Sequence, residues 1–144
     1  MLSINEIMTT DLFTLGANAT LAEAELLMKA RGVRHVPIID DAKKLIGLIT
    51  QRDILATEKT GVSVCDVMRQ DIYTISSTAD MRSAALMLQK HKIGSLPVLQ
   101  GETLVGIITD SDYVGLAINL LEQMEEIEPD DFDDYDSVDA VDDV

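Results

Sequence analysis

The phrase GLITQRD at Gly47–Asp53 returns as GIITDSD at Gly106–Asp112, and the likeness is not local. Sliding the chain by 60 residues brings Ser3 onto Ser63, Met8 onto Met68, Asp11 onto Asp71 and Thr14 onto Thr74. It also brings Leu21 onto Met81, Ala24 onto Ala84, Val33 onto Ile93 and Pro37 onto Pro97. One residue is lost between DDAKK and QGET, where a hairpin loop tolerates it. The closing phrases therefore meet at a shift of 59. An internal repeat constrains the fold more than any bulk property, because what one copy forms the other must form too. A copy of this length has too little apolar surface for a core of its own, so the copies must pack together.

Each copy reads in the same order. SINEIM places Ser3 three residues before Glu6, the spacing of a capping box on a short helix, and SVCDVM is a weaker version with Asp66. LFTL and IYTI are short apolar stretches suited to strands. Leu21, Ala24, Leu27 and Met28 then fall at helical spacing, echoed by Met81, Ala84, Ala85 and Leu88, with Thr20 and Asp80 placed as N-caps. VPIID and LPVLQ are strands entered through proline. They turn at Asp40–Lys44 and Gln100–Thr103 into LIGLIT and LVGIIT, and helices begin near Asp53 and Asp112. The unit is β-α-β-β-α, made twice. This predicts an α/β (α+β) fold of two such repeats about a pseudo-twofold axis, over residues 1–60 and 61–121. Residues 122–144 hold the end of a long last helix, striped by Leu116, Leu120, Leu121, Met124 and Ile127, and an acidic tail that composition predicts to be disordered.

Composition narrows the function. The chain is 47% hydrophobic without tryptophan, so its core is aliphatic. The net charge of −15 is unevenly spread: twelve of the 26 acids fall from Glu122 onward with no basic residue. The other fourteen face all eleven Lys and Arg, and 14 − 11 leaves the body at −3. Neither part has the basic face that nucleic acid requires. No apolar run reaches the roughly 20 residues of a membrane span, and no signal pattern opens the chain. The lone Cys65 suits a reducing, cytoplasmic setting and reads as a small buried hydrophobe. No nucleophile–base set, CxxC, HExxH, phosphate loop or GxGxxG occurs. His35 and His91 lie too far apart in the repeat to suggest a metal pair. The chain reads as a binding protein rather than an enzyme, with no cofactor or metal.

The repeated phrase has a physical purpose. Glycine in a strand permits close backbone approach. Threonine at the strand end offers a hydroxyl, and the aspartate three residues on sits in the first turn of a helix, where its carboxylate can accept from the two hydroxyls of a ribose. The same Thr–Asp pair also makes a helix cap, and both readings stand.

Two β-α-β-β-α units, each with a proline-entered strand and a closing G-h-h-T-x-x-D, resemble a tandem cystathionine-β-synthase (CBS) domain pair, the Bateman module. The resemblance covers about residues 1–120 and implies a regulatory module binding adenosine-type ligands in clefts between the repeats. By the matched motif, one cleft takes Thr50 and Asp53, with Ser63, Met68 and Ile93 supplied by the other repeat. The second takes Thr109 and Asp112, with Ser3, Met8 and Val33. Arg34 and His35 precede the first proline strand and Arg52 precedes Asp53; the second copy has Gly94, Ser95 and Ser111 instead. The first cleft is therefore the one prepared for phosphate, since a guanidinium grips it bidentately. Arg34 as a solvated edge residue and His35 as a packed imidazole are the competing readings.

The expected function is a stand-alone sensor of AMP, ADP or ATP that signals to an unidentified partner protein. The alternatives are a dimerisation module with empty clefts and a module for S-adenosylmethionine or another ligand. A homodimer is expected, because apolar surface on the two long mid-repeat helices exceeds what one module covers.

Overall fold

A computed structural model describes residues 2–58 and 61–125. The acidic tail and Ile127 lie outside the described residues. The chain divides into two compact units, Met1–Asp110 and Ser111–Val144.

Both repeats follow the expected order. In the first, helix α1 (Leu21–Arg31) leads to strands β1 (His35–Ile39) and β2 (Leu45–Thr50) and to the short helix α2 (Gln51–Leu55). In the second, strand β3 (Ile75–Ser76) and helix α3 (Met81–His91) precede β4 (Ser95–Gln100), β5 (Thr103–Thr109) and α4 (Asp110–Glu125). The caps are those the sequence marks: Thr20 accepts from the amide of Glu23, and Asp80 from that of Ser83. Leu21, Ala24 and Met28 are buried on α1, and Met81, Ala84 and Leu88 on α3. Leu27 and Ala85, expected beside them, are only half-buried.

β1 and β2 form an antiparallel hairpin, as do β4 and β5, each with a register shift before its turn. β3 adds to β4 in parallel. The LFTL stretch makes only a bridge, Leu15 to Ile38, and IYTI yields the two residues of β3. The SINEIM and SVCDVM segments are single 3-10 turns, not α-helical capping boxes, because Ser3 and Ser63 bond the amides two residues on, Asn5 and Cys65. Helix α2 starts at Gln51 and α4 at Asp110, earlier than expected; at α2 the cap is Thr50, not a residue nearer Asp53.

Residues 2–9 serve the second repeat. Ile4 donates to the carbonyl of Ala79 and Leu2 accepts from Met81. Thr9 exchanges two backbone hydrogen bonds with Ile107, at 2.9 and 3.0 Å. Residues 62–69 do the same for the first repeat: Val62 accepts from Leu21, Val64 donates to Ala19, and Arg69 exchanges bonds with Leu48, both 2.9 Å. Val64 is accordingly part of the core formed by α1, β1 and β2. Each half is completed by the segment that opens the other.

The two phrase glycines seat this exchange. A Cβ on Gly47 would occupy the place of the Met68 sulfur, and one on Gly106 would lie 2.8 Å from the Met8 sulfur and 3.2 Å from the Thr9 carbonyl oxygen. Gly47→Ala should therefore cost about 1–3 kcal/mol by overpacking. Denaturant unfolding of Gly47→Ala, Met68→Ala and the double variant checks the cause. The double variant should be less destabilised than the sum of the singles, since removing the methionine makes room for the methyl. Additive losses would show that the glycine acts through its backbone alone.

Candidate ligand-binding cleft

The turn from β2 into α2 builds the first wall of a cleft. Thr50 ends its strand in extended backbone and its Oγ1 accepts from the amide of Asp53 at 3.2 Å. The amide of Thr50 donates to Asp53 Oδ2 at 3.0 Å. This reciprocal box satisfies donors that a helix start leaves without partners. The capping role is thus present in full, while Thr50 keeps its hydroxyl hydrogen for a further acceptor. Asp53 Oδ1 is held by Arg69, with Nε at 3.3 Å and Nη2 at 3.2 Å.

Beside this turn lies a cavity of about 620 Å³. From the first repeat Arg34, His35, Thr50 and Arg52 line it; from the second come Arg69, Tyr73, Lys92 and Ile93, with Asp71 and Asp110. Four cations thus face two carboxylates. Among the described residues no salt bridge uses Arg34, Arg52 or Lys92. In a chain of net charge −15, such a concentration of positive charge in a concave site focuses anions.

Backbone bonds hold the two sides in matching positions: Gln51 donates to the carbonyl of Arg34 at 2.9 Å, and Asp110 to that of Gly94 at 3.2 Å. The His35 imidazole fills the space over Gly94, where an added Cβ would lie 3.1 Å from Nε2. Burial holds the His35 pKa below its ordinary value of 6.5. Asp110 opposes that, Arg34 reinforces it, and Asp53 opposes it more weakly. The imidazole is therefore both packed and beside the cations.

Of the residues expected in the first cleft, Arg34, His35, Thr50, Arg52 and Ile93 line it. Asp53 stands behind Arg69, its side chain 12% exposed. Ser63 and Met68 are elsewhere, for structural reasons: the Ser63 hydroxyl donates to Ala17 O at 2.8 Å, and Met68 packs on Gly47. For the second cleft, Ser3 caps its turn, Met8 packs on Gly106, and Val33 lies against the first core. Thr109 ends β5, while Ser111 and Asp112 belong to the unit that begins at residue 111.

Sequence reasoning missed Arg69, Tyr73 and Lys92. Lys92 carried a readable signal, because it aligns with Gly32 and both are left-handed C-caps, at φ 53° and 65°. A lysine there bears backbone strain of order 1–2 kcal/mol that the glycine avoids. Tyr73 aligns with Phe13, and each ring is covered by the last residue of its helix. Tyr73 stacks on His91 with centroids 3.8 Å apart, and the Arg31 guanidinium lies 4.8 Å from the Phe13 centroid.

Two like halves with a cation-lined cleft between them make a tandem repeat module. The chain belongs to the CBS domain family, whose model matches residues 4–59 and 64–118. Among solved structures it is similar to AcuB from Vibrio cholerae, named for acetoin utilization. The two are 45% identical with a TM-score of 0.80, over 90% of this chain and 99% of that one. It is also similar to the CBS domain pair of protein MJ0100, solved in complex with 5'-methylthioadenosine and S-adenosyl-L-methionine. That pair is 26% identical with a TM-score of 0.76, over 83% of this chain and 98% of that one. The inosine-5'-monophosphate dehydrogenase of Thermoplasma acidophilum is 34% identical over 109 residues; the match takes in 75% of this chain and only 22% of that enzyme's length. No helix among the described residues is long and apolar enough to cross a membrane.

Because the folded His35 pKa lies below 6.5, the unfolded chain binds the proton more readily. Its contribution to stability is complete above the unfolded value and is lost as pH falls through the folded one. Melting temperatures of the parent and His35→Gln, followed from pH 8 downward, should diverge in slope below about pH 6.5, with the parent falling faster. Parallel curves would mean that the imidazole titrates as it does in water.

Proposed function

We propose that the chain is a regulatory module that binds an adenine nucleotide in this cleft and transmits the occupancy to a partner protein in the cytoplasm. The observation that carries the reading is the convergence of Arg34, Arg52 and Lys92, engaged in no salt bridge among the described residues, on a cavity bounded by Thr50. Phosphate oxygens match this set, since charge-assisted bonds to guanidinium are among the strongest a site can make. Asp53 supplies the ribose acceptor, and Ile93 with Tyr73 the apolar wall for the base. The adenosyl compounds bound to the MJ0100 pair support an adenosine-type ligand. That protein's S-adenosyl-L-methionine is the second reading, and the lining cations weigh against it, because a sulfonium brings no phosphate to meet them.

Calorimetry with AMP, ADP and adenosine tests the assignment. The parent should bind the phosphorylated ligands more tightly. Arg34→Ala should weaken them by about 1.5–3 kcal/mol, the worth of a hydrogen bond to a charged group, and leave adenosine nearly unchanged. Equal losses for nucleotide and nucleoside would remove Arg34 from the phosphate site. Absence of heat with every adenine compound would favour a scaffold with unused clefts.

The module is further proposed to act as a homodimer. Leu26 on α1 and its repeat equivalent Leu86 on α3 are 68% and 45% exposed. A second copy presenting the same apolar residues would cover them in an isologous interface. Sedimentation at micromolar concentration should show a dimer, and Leu26→Glu together with Leu86→Glu should give a monomer; a parent that sediments as a monomer with and without ADP refutes the dimer.

A further inference from the structure

The acceptor expected to hold a ribose is already engaged. Asp53 offers about four lone-pair sites on its two oxygens. The amide of Thr50 takes one on Oδ2, and Arg69 directs both Nε and Nη2 at Oδ1. A vicinal diol that donates to both oxygens must take the place of Arg69.

The two partners differ in freedom. Asp53 is fixed by the capping box and its side chain is 12% exposed, whereas the Arg69 side chain is 60% exposed. The Arg69 backbone is pinned by its paired bonds to Leu48, so release moves the side chain alone. Once released, the guanidinium stands in the cleft with Arg34, Arg52 and Lys92. Four cations outnumber the two lining carboxylates, Asp71 and Asp110, and the excess positive charge favours the return of Arg69 to Asp53. A ligand phosphate offsets that excess and gives the freed guanidinium a bidentate partner.

We propose that Arg69 is a latch on Asp53 that opens at low cost only to ligands carrying phosphate, and so sets the cleft's selectivity for ribosyl phosphates over bare nucleosides. The inference rests on the nucleotide-binding reading and adds its specificity-determining residue. Arg69 acts in opposite senses on two ligand classes: it competes with the ribose of adenosine, and it assists ADP after yielding the same ribose site. A residue that merely walls the cleft would act on both in one sense.

Calorimetry with adenosine and with ADP, on the full chain and on Arg69→Ala, reads the difference. Adenosine should bind Arg69→Ala about twofold to fivefold more tightly than the parent, the scale of a half-exposed ion pair. ADP should bind it about tenfold more weakly, the scale of one lost charged hydrogen bond. Arg69→Lys, which keeps the charge, should retain much of the ADP affinity. A melting curve confirms that each variant is folded. If the parent binds ADP but Arg69→Ala weakens both ligands alike, the latch is wrong and the nucleotide reading survives. If the parent binds neither while Arg69→Ala binds adenosine, the latch holds and the phosphate preference falls. If neither protein binds either ligand, both readings fall together.

Discussion

The seating of Met68 on Gly47 and of Met8 on Gly106 is the constraint on which the rest of the molecule depends. Each methionine belongs to a segment that precedes one repeat and packs on the closing strand of the other. Only glycine leaves room for the sulfur at that distance. The segments then pair edge to edge with β2 and β5, through Arg69 and Thr9. This covers strand edges that would otherwise present unpaired amides. The halves are thereby joined by reciprocal backbone bonds and not by a surface of side chains alone.

The cleft follows from that arrangement. Arg69 reaches Asp53 only because the segment carrying it lies beside β2 of the other repeat. The positive wall is therefore composite, assembled from positions far apart in the chain, while the equivalent positions of the repeat, Thr9, Gly32, Gly94 and Ser111, carry no charge. Gly94 and Ser95 stand where the first repeat has Arg34 and His35. The missing side chain is also an accommodation, since Gly94 makes room for the His35 ring. The two repeats share one plan, and differences at a few positions concentrate cationic side chains on one side.

Much of this was legible in the sequence. The repeat shift located both hairpins, both long helices and their caps, because glycine, proline and capping residues act locally and were doubled. Arg34, His35, Thr50, Arg52 and Ile93, which the family resemblance and its matched motif single out, all line the cavity. Ser63 and Met68 make local contacts outside the cavity lining, since a motif gives the composition of a segment but not which way its side chains face. In both cases the local role, a turn cap and a strand contact, takes the side chain. Arg69 and Tyr73 were missed because nothing in their neighbourhood marks them; they matter through a partner sixteen residues away and through a helix end. Lys92 could have been found, since a lysine where the other copy has a left-handed glycine is a local anomaly with a physical meaning.

The exchange of leading segments also bears on how the chain is made. Thr9 pairs with Ile107, 98 positions further on by subtraction, and Ile4 is fully buried only in the finished molecule. At synthesis rates of about 5–20 residues per second, on the order of 5–20 s separates the appearance of these partners. Within that interval Val64 and Met68 appear and complete the first repeat, while the opening segment still shows its apolar side chains to the ribosome's surroundings. The first half can thus close as soon as residues 62–69 are made, whereas the segment made first is the last to find its partners, in the second half.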